Sequence, residues 1–188
     1  NDWQKKAVLT VLESADVAIV HGPPGTGKTT VLVEVIRQAI KEGKFVFATA
    51  PSNTACDNLL ECLVREGVPA LRLGHPARIM EHLRDHTLDY KSAQHPYADI
   101  IDRDEKEIDA LYRKLDRHKE RRSLDWDDKR EIRDRIRELK DDVRRLEDEV
   151  LVQVLEQAPV MIGTHTSAMD FVLRDRSFDL LVMDEAAQ

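Results

Sequence analysis

Three glycines, a lysine and a threonine fall at fixed spacing in Gly22-Pro23-Pro24-Gly25-Thr26-Gly27-Lys28-Thr29, the pattern of a loop that wraps an oligophosphate. Backbone N–H groups must turn inward around such an anion, and glycine is needed where a side chain would block the approach or where φ is positive. Lys28 then reaches the β- and γ-phosphate oxygens, and Thr29 offers its hydroxyl to Mg²⁺. Gly22, Pro23, Pro24, Gly25, Thr26, Gly27, Lys28, Thr29 and Thr30 are the expected contacts of a nucleoside triphosphate. The flanks agree. Val17-Ala18-Ile19-Val20 is a short apolar run suited to a buried parallel strand, and Thr30 to Ile36 continues as a helix whose N-terminus faces the anion.

A second anchor lies far downstream. Phe178-Asp179-Leu180-Leu181-Val182-Met183 predicts another buried strand, delivering Asp184 and Glu185 at its carboxyl end, where parallel sheets keep their ligands. An acidic pair there also suits the start of a helix. Beside the phosphate loop it gains a chemical role: Asp184 in the Mg²⁺ shell, and Glu185 orienting and deprotonating the water that attacks the γ-phosphate. The two motifs together predict metal-assisted phosphoryl transfer from ATP to water.

The elements that position these residues follow from the rest of the chain. Its 188 residues, 41% hydrophobic and 35% charged, suffice for one sizeable core with something polar appended. Strand-like runs at Val17 to Val20, Phe45 to Thr49, Ala70 to Leu73, Val160 to Gly163 and Leu180 to Met183 alternate with helical patterns, which predicts an α/β fold with a parallel sheet. Between about Met80 and Leu155 the charge density rises and apolar residues fall on helical spacing, the mark of an insertion. Ile132, Ile136, Leu139, Val143, Leu146 and Val150, alternately four and three apart, form the seam of one helix. Ser123 or Asp125 caps its start, with Asp127 and Asp128 in its first turn. Ile101, Ile108, Leu111, Tyr112 and Leu115 form the weaker seam of a preceding helix, so a hairpin turning near Ser123 is expected. Its charged faces predict solvation with i,i+4 pairs such as Glu131 with Arg135.

Net charge is −7, which argues against a generally basic nucleic-acid surface and leaves room for a local groove. No apolar run is long enough to cross a bilayer, and no charged-then-apolar leader opens the chain. The chain does not begin with Met, as expected of an excised piece. Cys56 and Cys62 share one predicted helix without a second pair for zinc, and are expected to be idle thiols in a reducing compartment.

Two strand ends carry small polar residues: Phe45 to Ala50 leads into Pro51, Ser52, Asn53 and Thr54, and Met161-Ile162-Gly163 leads into Thr164, His165, Thr166 and Ser167. Each alone suits an N-capped strand-to-helix turn. Two in one sheet, beside an ATP site, predict that Pro51, Ser52, Asn53, Thr164 and Thr166 hold a phosphate backbone without reading bases.

In chain order, Asn1-Asp2-Trp3-Gln4-Lys5-Lys6-Ala7-Val8, the loop Gly22 to Thr29, Ala50-Pro51-Ser52-Asn53, Gly163-Thr164-His165-Thr166 and Asp184-Glu185-Ala186-Ala187-Gln188 resemble superfamily 1 helicases of the up-frameshift-like group. Leu73-Gly74-His75-Pro76-Ala77-Arg78 and the insertion after it look most like the immunoglobulin-mu-binding-protein type. The resemblance covers essentially the whole chain. It implies a P-loop NTPase domain of RecA-like fold over residues 1–80 and 156–188, with an antiparallel helical stalk inserted over 81–155. It also implies that Gln4 reads the adenine and that Gln188 senses the γ-phosphate and couples it to a bound strand. Such enzymes move 5′ to 3′ on DNA or RNA using ATP. The implied partners are therefore single-stranded DNA or RNA and a second RecA-like domain, in a monomeric motor with no membrane contact, located in the cytoplasm or nucleus.

The resemblance places the family's next strand between the loop strand and the acidic-pair strand, so a gap is expected between Val17–Val20 and Leu180–Met183. The arginine fingers of the second domain lie outside these residues, and their contribution is worth roughly 10³ to 10⁵ in rate in comparable NTPases. Residues 1–188 alone are accordingly expected to hold ATP-Mg²⁺ weakly and to hydrolyse it hardly at all. Two further readings stay open. One is a nucleic-acid clamp whose ATP cycle remodels complexes without productive unwinding. The other is a small-molecule kinase, which needs an arginine-rich lid and an acceptor pocket where this chain has Glu185 poised on water.

Overall fold

The computed structural model describes residues 1–121, 125–169, 171–174 and 176–186. Gln188 and Ser123, expected as γ-phosphate sensor and helix cap, lie outside the described residues. Two compact units emerge, Asn1–Tyr90 with Glu156–Gln188, and Lys91–Leu155. The first reaches ten residues beyond the expected boundary at 80, because Leu83 packs into its core and Thr87 bridges to Arg72.

In the first unit, α1 (Asp2–Leu12) and α2 (Lys28–Lys41) precede β1 (Val46–Ala50), α3 (Asn53–Arg65) and β2 (Ala70–Arg72). Two short 3-10 helices follow, α4 (Leu88–Ala93) spans the boundary with the second unit, and β3 (Val160–Thr164) and β4 (Leu180–Met183) complete the sheet. The described strands form one parallel sheet in the order β2-β3-β1-β4. Every residue of β1 is buried, as a strand covered on both faces and flanked on both sides must be. On one face Val46, Ala48, Ala50, Val160, Ile162 and Val182 pack against Val33 and Ile36 of α2 and Leu59, Leu60 and Leu63 of α3. On the other face Leu181 and Met183 of the edge strand β4 are 56% and 47% exposed. Among the described residues, no helix is long and apolar enough to cross a membrane.

The strand expected at Val17–Val20 is not formed. A strand requires a hydrogen-bonded neighbour, β4 is paired only with β1, and no described strand pairs with Val17–Val20. Val17 and Ile19 are consequently 79% and 89% exposed, and only Val20 joins the cluster of Val8, Val31 and Val35.

On α3, Cys56 is fully buried and Cys62 half-buried, both as free thiols. Burial pushes the Cys56 thiol up, against the opposing pull of the Arg72 cation. Only the thiolate reacts, so iodoacetamide should label Cys62 well before Cys56 in the native protein. Equal labelling rates would show that α3 opens locally.

The second unit is built on α5 (Ala98–Arg121) and α6 (Trp126–Glu156). Ile108, Ile132, Ile136, Leu139 and Val143 form its core, with Ile101, Leu111 and Leu115 packed against them. Tyr97, just before α5, with Glu149 (3.5 Å) and Glu107 with Arg135 (3.0 Å) tie the α5 segment to α6, an antiparallel arrangement since one number rises as the other falls. Two sequence expectations are corrected. Tyr112 leaves the seam, 43% exposed, and its hydroxyl accepts from Lys140 Nζ at 2.9 Å, so its polar tip stays wet. Arg135 pairs with Glu107 and Glu138 rather than Glu131, because the facing helix offers a carboxylate at shorter reach. Asp125 Oδ1 accepts the Trp126 N–H at 2.7 Å at the start of α6, whose first turn carries Asp127 and Asp128.

Candidate functional site

The phosphate loop takes the shape its glycines permit. Gly25 and Gly27 have φ of 80° and 85°, a region that strains any L side chain, and a Cβ on Gly27 would also collide with Nε2 of Gln4. Gly27 is the N-cap of α2 and supplies no side-chain acceptor, so the first-turn N–H groups of that helix remain available to an anion. Thr26 Oγ1 donates to Pro23 O at 2.8 Å and closes the loop, while Pro23 and Pro24 are exposed at its tip. Lys28 Nζ donates to Gly22 O at 3.1 Å, Thr29 is half-buried behind it, and Thr30 is exposed. Gln4 reaches the loop from α1, where its Nε2 donates to Thr26 O at 3.2 Å and its Oε1 accepts from Asn1 N at 2.9 Å.

The acidic pair meets this loop. Asp184 donates its N–H to Thr49 O at 2.8 Å, extending the β1–β4 ladder by one residue. Glu185 follows with φ of 51°, in the left-handed region that residues with a side chain seldom occupy. Its Oε1 lies 3.6 Å from Lys28 Nζ. A hydroxyl from Thr29 and a carboxylate from Asp184 are hard oxygen donors that fit Mg²⁺. Among the described residues no three His, Cys, Asp or Glu gather as a metal cage.

The second candidate site lies at the carboxyl ends of β1, β2 and β3. Pro51, Ser52, Asn53, Thr164 and Thr166, all named from sequence, line one depression of about 510 Å³ together with Gly74, His75, Arg78 and Ser167. Ser52 Oγ caps α3 by accepting the Ala55 N–H at 3.2 Å. Thr164 Oγ1 sits 2.9 Å from both Thr166 Oγ1 and Ser167 Oγ. Beneath it, Arg72 (0% exposed) and Asp57 (2%) form a buried pair at 2.9 Å. Arg72 Nη2 also donates to Asn53 Oδ1 at 2.9 Å and Nη1 to Leu73 O, while Asp57 Oδ2 accepts the Met80 N–H at 3.0 Å. Sequence reasoning gave no chemistry to Gly74, His75 and Arg78. The available signal was that Ala70 to Leu73 ends in a glycine turn, at the sheet edge where the other two polar strand ends lie.

Thr49 lies between the acidic pair and the segment that carries Thr164 and Thr166. Its carbonyl accepts from Asp184, and its Oγ1 lies 3.0 Å from Nδ1 of His165, whose Nε2 is buried without a partner among the described residues.

A parallel α/β sheet, a glycine-rich loop opening a helix and an acidic pair on the strand beside β1 define a P-loop NTPase domain of RecA-like fold. The chain belongs to the AAA domain family, matching it over residues 1–188. It is 40% identical over 189 residues to DNA-binding protein SMUBP-2 of Mesocricetus auratus, covering 98% of this chain and 19% of that protein. It is 36% identical over 188 residues to DNA polymerase alpha-associated DNA helicase A of Schizosaccharomyces pombe, covering 100% and 28%. An ATP-dependent helicase of Methanocaldococcus jannaschii is 31% identical over 221 residues, covering 100% and 33%. The chain thus spans a fifth to a third of the length of these relatives. The similarities bear out the resemblance to superfamily 1 helicases of the up-frameshift-like group.

Proposed function

We propose that residues 1–188 are the first motor domain of an ATP-dependent helicase or translocase that moves 5′ to 3′ on single-stranded DNA or RNA. The observation that carries this reading is Thr49, bonded on one side to Asp184 of the phosphate-loop site and on the other to His165, which follows Thr164 and precedes Thr166 of the depression's lining. Relatives named as a DNA-binding protein and as DNA helicases support a nucleic-acid strand as the occupant of the depression.

In this reading Lys28 binds the β- and γ-phosphate oxygens, and Gln4 orients the adenine from α1. Thr29 and Asp184 would hold Mg²⁺, which when bound neutralises charge on the phosphates. Glu185, held beside the loop by its turn, exchanges its contact with Lys28 for the attacking water and accepts that water's proton. Gln188 couples the γ-phosphate to the strand. Arginines of a second RecA-like domain stabilise the charge that develops on transfer, so residues 1–188 alone hydrolyse ATP weakly.

Partial duplexes with one single-stranded tail test the reading in the full-length protein. A 5′ tail should support ATP-dependent strand separation and a 3′ tail should not. Strand-stimulated hydrolysis with no separation on either substrate would favour the remodelling clamp instead. Hydrolysis indifferent to nucleic acid would end the motor reading.

A further inference from the structure

We propose that the loop Gly74–Arg78 forms a third wall of the strand-binding depression and that Arg78 is its phosphate contact. The proposal rests on the strand-binding reading above.

Both ends of this loop are fixed to one buried ion pair. Arg72 donates to the carbonyl of Leu73 where the loop begins, and Asp57 accepts from the N–H of Met80 just beyond it. The same guanidinium donates to Asn53 at the start of α3, so two walls of the depression share a single anchor. Between those fixed points Pro76–Arg78 makes one helical turn, capped by His75, whose Nδ1 accepts the Ala77 N–H at 3.2 Å. That bond leaves the proton of a neutral His75 on Nε2, as a donor.

Charge then singles out Arg78. Of the residues lining the depression, Pro51, Ser52, Asn53, Gly74, Thr164, Thr166 and Ser167 bear no charge, and Arg78 is the one permanent cation. It is exposed, and among the described residues its side chain has no carboxylate, carbonyl or ring partner. Arg72, the arginine buried beneath the depression, is by contrast held by Asp57. A planar donor fork left unpaired beside hydroxyls and a capped helix start suits a phosphodiester oxygen. No base edge is needed for such a contact, so it adds affinity without sequence preference.

The test uses the full-length protein and fluorescein-labelled oligothymidylate, with a mixed-sequence oligonucleotide beside it, titrated at several salt concentrations. Arg78→Gln should weaken both by a similar factor, roughly tenfold, and should lower the log-log salt slope by about 0.7, one phosphate's share on a single strand. Arg78→Lys should restore most of the slope. If the parent binds single strands and Arg78→Gln binds them with the same affinity and slope, the contact is wrong and the strand-binding reading stands. If the parent binds no single strand, both fall.

Discussion

Glu185→Gln in the full-length protein should cut ATP turnover by about 10²–10⁴, the usual contribution of a positioned base, while ATP binding is kept or slightly tightened. The amide preserves the size and turn of the side chain but accepts no proton from water. It also removes the carboxylate that competes for Lys28 at 3.6 Å. The side chains of Lys28 and Glu185 are 26% and 44% exposed, so that ion pair is worth only about 0–1 kcal/mol and its loss can raise affinity no more than severalfold. Steady-state hydrolysis and equilibrium nucleotide binding, measured side by side, separate the two effects. Turnover within a factor of a few of the parent would take the base role away from Glu185. Lost binding would mean that the residue holds the loop rather than the water.

Arg72→Met should destabilise the sheet-bearing unit by about 3–5 kcal/mol, the cost of leaving a buried carboxylate without its cation. Methionine fills similar volume, so little of that loss is cavity. Asp57 is 2% exposed and retains only the Met80 N–H, while Asn53 Oδ1 and Leu73 O each lose a donor. Arg72→Lys should recover part of the loss, because an ammonium can face Asp57 but cannot also serve Asn53 and Leu73 from one fork. The shift of the denaturant midpoint measures both variants. A change below about 1 kcal/mol in Arg72→Met would show that water reaches Asp57 readily and that the pair does not anchor the depression.

How far the residues disclosed this arrangement depended on how local the controlling physics is. The phosphate loop was legible because its glycines answer a demand made within eight positions, and the helix after it begins where the spacing says. Val17–Val20 misled because apolar, β-branched composition describes a strand's side chains, whereas forming one depends on a neighbour's backbone. Arg72 was hidden for a related reason. A charged residue inside Ala70–Leu73 gives no hint that Asp57, fifteen positions earlier, will meet it in the core. Arg135 shows the same limit from the surface, since an i,i+4 partner can be read from spacing but Glu107 on the opposite helix cannot. The polar strand ends were legible singly, while the depression they share with Gly74–Arg78 needed the order β2-β3-β1 to be known.

The seam of α6 carries an evolutionary consequence. Its apolar positions from Ile132 to Val150 recur with alternating steps of four and three, so seven residues can be gained or lost from each helix without rotating either face away from the other. Each such step changes the hairpin's length by about 10 Å, at 1.5 Å per residue. The phosphate loop and the acidic pair lie in the sheet-bearing unit, outside the residues that form the hairpin. Descendants of this domain can therefore lengthen or shorten the hairpin in whole heptads while the phosphate loop and the acidic pair stay under separate selection.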